Sequence, residues 1–306
     1  MLARPSLALF FLLSCSSSAV AQRARPDALA PRTLGRLLVS GFESDAVHAY
    51  RTNDGRPLGK TTGVAGAQSI VRGPDGLLYV CAEELDRVLR LDPETLALLD
   101  TFVGDDPLTP EDEDGPLNNP TAAVFGPAND LFVASFETDA VLRYDGRTGA
   151  YLGEFVAGGL GGLDGPDAGT KFGPDGNLYV PSFWNDRVLR YDRDGAFLGE
   201  FIPFRVGNLR QPRDLVFHSG RWYVASSATG RVLRYEADGT FVDEFAVVGT
   251  PYSLAFHPLN GDLYVVGLAA NNVRVFDGVS GEPLQRIVPN GAGGLRGATY
   301  LYFLPD

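Results

Sequence analysis

Apolar residues along this chain fall into short runs rich in Val, Leu, Tyr and Phe, each cut off by a turn built from Gly, Pro, Asp or Asn. Runs of that length and composition predict strands rather than helices. At six places a Val on one run is followed eight residues later by a Val on the next: Val39/Val47, Val80/Val88, Val133/Val141, Val180/Val188, Val224/Val232 and Val265/Val273. The first members are spaced 41, 53, 47, 44 and 41 residues apart. That period is the length of one propeller blade, roughly 40 to 50 residues.

Three copies show the unit: GPDGLLYVCAEELDRVLRLD from Gly73, FGPANDLFVASFETDAVLRYD from Phe125 and FGPDGNLYVPSFWNDRVLRYD from Phe172. Each predicts four strands. In the third copy a first apolar stretch enters a Pro-Asp-Gly turn. Leu178 to Val180 follow, then a polar turn at Asn185 and Asp186, Val188 to Tyr191, a turn over Asp192 to Gly195, and Phe197 to Phe201. The turn glycines supply the positive φ that tight hairpins require. Single sheets this small bury too little to stand alone, and radial stacking covers both their faces and their edges.

The chain ends predict closure. The first copy, from Leu37, lacks the strand that precedes the Leu-Tyr-Val element elsewhere, and the last residues, Gly297 to Asp306, look like that strand with nothing after it. The expected fold is therefore all-β: a six-bladed β-propeller over residues 36–306 with four-stranded blades, the C-terminal strand completing the first. No seventh Leu-Tyr-Val element exists to make a seventh blade.

The first residues alter the picture of where the protein works. After Met1 to Arg4 comes an apolar run, Leu7 to Leu13, too short to span a bilayer and shaped like a signal-peptide core. Ala19-Val20-Ala21 fits ordinary signal cleavage, making residues 1–21 a signal peptide and 22–35 a linker. Leu12-Leu13-Ser14-Cys15 resembles a lipobox, in which residues 1–14 would be removed and Cys15 lipidated as a membrane anchor. Both alternatives place the protein outside the cytoplasm, secreted or periplasmic in one case and a membrane-anchored lipoprotein in the other. With Cys15 removed or lipidated, Cys81 is left alone, so no intrachain disulfide is expected. The balance of 26 basic against 38 acidic residues, a net charge of −12, argues against nucleic acid or anionic membrane as a partner. No membrane-spanning segment is predicted, and a monomer is expected.

In a repeat, function belongs where the copies differ. Arg90, Arg143, Arg190, Arg234 and Arg274 recur at one position with an acid close by, which predicts ion pairs and stem packing rather than an anion site. His218 and His257 fall in the turn after the first strand, away from the usual ligand face, and His48 sits in a strand; no pair of them has a metal-ligand spacing. The start of each innermost strand is different. Counting back from the residue before the turn, the copies give Gln68, Thr121, Ala168, Arg213, Tyr252 and Thr299. One extra residue in the fourth copy lets Asp167 replace Ala168 when the alignment is made on Pro166, and Asp214 is the other carboxylate nearby. Such a ring predicts a polar mouth suited to a small ligand. Trp184, on the same face, does not recur and is a candidate ligand platform. The connection from Gly104 to Asn119 carries Asp105, Asp106, Glu111, Asp112, Glu113 and Asp114; its oxygens suit a hard cation, although the spacing matches no defined calcium loop. The Gly158 to Leu163 connection reads as a flexible loop, because no helix follows to make a phosphate cradle.

The Phe-Gly-Pro-Asp-Gly-Asn-Leu-Tyr-Val stretch from Phe172, followed by Asn/Asp-x-Val-Leu-Arg-Tyr-Asp, resembles the repeats of bacterial exported NHL-repeat proteins and, more distantly, streptogramin B lyases and gluconolactonase-like enzymes. The resemblance covers residues 36–306 and implies the propeller. Gluconolactonase-like enzymes hold a divalent metal with Glu, Asn and Asp at the channel mouth, where Asp167 is this chain's one matching acid; streptogramin B lyases use His and Glu beside magnesium, and no His falls on the matching face. The leading expectation is a scaffold that binds a small molecule, a glycan or a protein through its variable top face. The alternative is a metal-dependent lyase or lactone hydrolase, with calcium or magnesium held by Asp167, or by Asp112 and Asp114, and with Asp167, Asp214, Arg213 and Tyr252 at the mouth. In that case the cation polarises a carbonyl and Arg213 or Tyr252 stabilises the oxyanion.

Overall fold

The computed structural model describes residues 35–104 and 115–305. They form six four-stranded antiparallel sheets. Blade 1 runs Ala298–Leu304, Arg36–Gly41, Ala46–Arg51 and Pro57–Lys60, so the last strand of the chain is the innermost strand of the first blade. Its register, Arg36 opposite Leu304 and Val39 opposite Leu301, closes the ring as the sequence predicts. The innermost strands of blades 2 to 6 are Ala67–Arg72, Pro120–Phe125, Lys171–Phe172, Pro212–His218 and Pro251–Phe256.

The paired valines are not cross-strand partners. Val180 lies opposite Leu189 while Val188 lies opposite Pro181, so the two valines of a copy point to opposite faces of their sheet. Val180 packs with Phe132, Val141 and Leu178 toward blade 3; Val188 packs with Phe201, Leu215 and Val224 toward blade 5. The same division holds around the ring: Val39 and Val47, for example, fall in different buried clusters, as do Val80 and Val88. Six clusters thus fill six interfaces between blades. Aromatic edges lock these interfaces, as where Tyr79 meets Phe102 at 4.9 Å and Phe125 of the next blade at 5.0 Å.

The recurring arginines behave as packing and pairing residues. Arg90 is bonded to Asp100 and lies 5.1 Å from the Phe102 ring; Arg234 is bonded to Asp243 and lies 4.9 Å from Phe245; Arg143 pairs with Asp130. Arg274 donates to the carbonyls of Val247 and Val248 in the preceding blade. His218 stacks on Phe256 at 3.9 Å and His257 packs on Tyr264 and Phe303. His48 is buried with Nε2 2.8 Å from Ser44 Oγ, and burial lowers its pKa to about 4. Cys81 is buried in the core, where desolvation pushes its thiol up to about 12.

The Gly-rich connection is not the flexible loop expected. Leu160–Gly162 form a 3-10 turn whose Leu160 carbonyl accepts from the Tyr191 hydroxyl at 2.7 Å. Val206–Asn208 and Ala292–Gly294 repeat that turn, held by Tyr235 and Tyr50. The reason is a recurrent Tyr at the end of the third strand or its equivalent, whose hydroxyl finds a partner once its ring is buried. The segment 105–114, with Asp112 and Asp114, and the N-terminal segment with Cys15 lie outside the described residues.

Candidate functional site

The variable ring is placed by a turn residue that is Asp or Asn in five of the six blades, with Gly230 in the sixth. In the turn between the second and third strands, Asp45, Asp86, Asp139, Asp186 and Asn271 adopt left-handed backbone, with φ between 49° and 56°. Asp and Asn tolerate that conformation because their short side chains bond locally. Here each side chain reaches the chain entering the next blade: Asp86 Oδ1 accepts from Asn119 N at 2.7 Å, Asp139 from Gly165 N at 2.8 Å and Asp186 from Gln211 N at 2.9 Å. Asp45 holds Gly66 N and Asn271 holds Ala298 N in the same way. The clamped amides at Gly66, Asn119, Gly165 and Gln211 stand two residues before Gln68, Thr121, Asp167 and Arg213. A repeated clamp therefore aims unrepeated side chains into the channel.

In blade 4 the ring position belongs to Asp167 and not Ala168. Pro166 bridges Ser182 as Pro120 pairs with Ser135 and Pro212 with Ser226. The extra residue is absorbed beyond Asp167, where Thr170 N returns to the Asp167 carbonyl at 2.9 Å.

Gln68, Thr121, Arg213, Tyr252 and Thr299, from five different blades, line one cavity of about 290 Å³ at the mouth of the channel. A second tier comes from the residues that follow the second strand in four of the blades: Phe42, Glu83, Phe136 and Leu268 also line the cavity, as does Glu43. At this tier three copies have phenylalanine, Phe42, Phe136 and Phe183, two have Ser227 and Leu268, and Glu83 is the one acid. That difference is the signal by which Glu83 could have been found from sequence.

A chain of hydrogen bonds crosses the mouth. Arg213 Nη1 donates to Asp167 Oδ2 at 2.8 Å and to the Tyr252 hydroxyl at 3.4 Å. Tyr252 donates to Gln68 Oε1 at 2.9 Å, and Gln68 Nε2 donates to Glu83 Oε2. The Arg213 guanidinium is stacked between the rings of Phe183, at 3.9 Å, and Tyr252, at 4.6 Å, which fixes its direction. Thr121 and Thr299 spend their hydroxyl protons on neighbouring carbonyls, of Pro166 at 2.8 Å and Ala67 at 2.7 Å.

Burial sets the electrostatics. Asp167 has no exposed surface and desolvation raises its pKa, opposed by the Arg213 charge. Glu83 is pushed up to about 7, first by desolvation, then against the Gln68 amide and with the repulsion of Asp167. A carboxyl shifted toward neutrality by desolvation inside a cavity marks Glu83 as a candidate functional group.

The remaining sequence candidates lie elsewhere. Asp214 is buried outside the cavity, accepting from Lys171 Nζ at 2.9 Å, Ser253 Oγ at 2.8 Å and Leu254 N at 3.0 Å, and so joins blades 4, 5 and 6. Trp184 stands beside the mouth, 60% exposed, against Phe183 at 4.7 Å and Phe136 at 6.2 Å. His48, His218 and His257 do not line the cavity.

The donor set does not fit a divalent cation. Asp167 is taken by Arg213, the ring threonines bond to backbone, and of the two carboxylates that line the cavity, Glu43 and Glu83, the second is bonded to the Gln68 amide. Among the described residues no three His, Cys, Asp or Glu side chains converge.

No protein-family model and no curated protein matches the chain. Solved structures do. A chain of the nidogen/laminin complex superposes with a TM-score of 0.66 at 14% identity, over 87% of this chain and 97% of that one. A protein of unknown function from Bacteroides caccae gives 0.65 at 13%, with 87% and 97% covered. A catalytically inactive virginiamycin B lyase from Staphylococcus aureus with quinupristin, in which a histidine is changed to alanine, gives 0.58 at 13%, over 87% and 88%. At such identities the likeness is one of fold, and the class it defines is the six-bladed β-propeller.

Proposed function

We propose that this chain is an exported, NHL-type binding propeller that takes a small molecule into the channel mouth. One observation carries the reading: side chains from five blades, at the positions where the repeat breaks, line a single cavity, and three of them, Arg213, Tyr252 and Gln68, are joined there with Asp167 and Glu83 in one hydrogen-bonded chain. Its volume is near the lower end of small-molecule sites, roughly 300–1,000 Å³. A glycan or protein partner would have to engage the same face through the rim, where Trp184 is exposed. Export rests on the apolar run from Leu7 to Leu13, with cleavage after Ala21 or lipidation of Cys15 as its two forms; the mass of the mature N-terminus decides between them.

The metal-dependent lyase or lactonase reading loses ground because its carboxylates are engaged by Arg213 and Lys171 and because no histidine lines the mouth. A ligand screen by protein-observed NMR tests the binding reading. Compounds that bind should lose affinity when Thr121→Phe and Thr299→Phe together fill the channel in a protein that still melts cooperatively. Undiminished binding in that variant overturns it. A rise in melting temperature with calcium or magnesium that Asp167→Asn abolishes would restore the metal-enzyme reading instead.

A further inference from the structure

The charges of the mouth do not balance, and the imbalance specifies a ligand. Arg213 is already matched by Asp167 at 2.8 Å and is covered on both faces by Phe183 and Tyr252. Glu83 is not matched: its one hydrogen-bond donor is the Gln68 amide. The groups facing it are Asp167 and Arg213, the Tyr252 hydroxyl through Gln68, Glu84 beside it on its own turn and Glu43 on the cavity lining. With Glu83 ionised, two carboxylates, Asp167 and Glu83, act on the single Arg213 guanidinium, and Glu43 on the cavity lining and Glu84 beside Glu83 add negative charge. Phe42 and Phe136 wall the same space, and aromatic faces attract a cation through the ring quadrupole.

We propose that the channel mouth binds an organic cation, a primary or quaternary ammonium with a small apolar body, whose charge is countered by Glu83 and whose body lies against Phe42 and Phe136. The inference rests on the channel-mouth reading above and narrows it to one chemical class. A partly buried carboxylate whose nearest cation, Arg213, is already paired with Asp167 carries a desolvation cost, and a ligand ammonium supplies the partner that the fold omits. A neutral polyol would leave that cost in place, and an anionic ligand would add to it. Because Glu83 titrates near neutrality, cation binding expels its proton, so the ligand should bind more tightly as pH rises.

Titration with choline and n-butylammonium, against the neutral 3,3-dimethylbutanol and n-pentanol and the anion butyrate, tests the class by NMR. Both ammonium ions should bind at least tenfold more tightly than their neutral counterparts. Their affinity should climb by up to about tenfold per pH unit below pH 7 and level off above it, as one linked proton requires. Glu83→Gln should remove both the preference and the pH dependence; if that variant is poorly folded, the pH profile of the wild-type protein decides. Equal or tighter binding of the neutral or anionic probes, or a flat profile for the ammonium ions, overturns the cation assignment while leaving a mouth site for another ligand. Binding of the probes that survives filling the channel at Thr121 and Thr299 overturns both readings.

Discussion

Asp167 lies fully buried with its carboxylate 2.8 Å from the Arg213 guanidinium, and neither residue repeats anywhere else at the ring. The pair joins two adjacent blades across the channel. Removing one charge strands the other where water cannot reach it. Arg213→Met should therefore cost about 3–5 kcal/mol in chemical denaturation, and Asp167→Leu added to it should recover a large part of the loss. An Arg213→Met protein as stable as wild type would mean that Asp167 is held neutral.

Glu83 sets a pH dependence whose sign is fixed. Burial pushes its pKa in the folded protein up to about 7 from the ordinary 4.5, so the folded protein binds the extra proton between those limits and its stability falls as pH rises from about 4.5 to about 7. Glu83→Gln should match wild type near pH 4 and be the more stable of the two above pH 7. Melting temperatures of both proteins across that range check it; a variant that is less stable at pH 8 contradicts it.

His48 works in the opposite sense. Desolvation, aided by the Lys60 charge, lowers its pKa from 6.5 to about 4, so the folded state resists protonation and stability is lost as pH falls through that interval. His48→Gln should lack this component. The difference between wild type and variant, followed from pH 7 to pH 4 by denaturant titration, should narrow in the variant's favour.

Deleting residues 298–306 should prevent closure. The strand Ala298–Leu304 pairs with Arg36–Gly41 and packs against the innermost strands of blades 6 and 2, so its loss exposes an inner edge and opens two interfaces. The truncated chain is expected to lose its cooperative melting transition and to associate in solution, which sedimentation velocity would reveal.

Much of the site was legible as exceptions to a rule. Gln68, Thr121, Arg213, Tyr252 and Thr299 stand out because the copies disagree there, and all five line the cavity. Glu83 stands at a position that is less plainly marked, because Phe42, Phe136 and Phe183 occupy it in three copies and Ser227 and Leu268 in two others. Asp214 and Trp184 were singled out for chemistry and rarity, but the direction of a side chain is not written in its spacing. Asp214 is bonded to Lys171, Ser253 and Leu254 N of the neighbouring blades and does not line the cavity, and Trp184 lies on Phe183 beside the mouth.

The amino-acid sequence by itself determined six blades, their four strands and their closure, because period, turn residues and apolar alternation are local properties repeated along one chain. It did not contain the division of each valine pair between two interfaces, since strand register decides which face a side chain takes. Nor did it contain the balance of charge at the mouth. Asp167 meets Arg213 46 residues away, and Tyr252 meets Gln68 184 residues away, so which carboxylate is satisfied and which is left waiting was settled by bringing the blades into a ring.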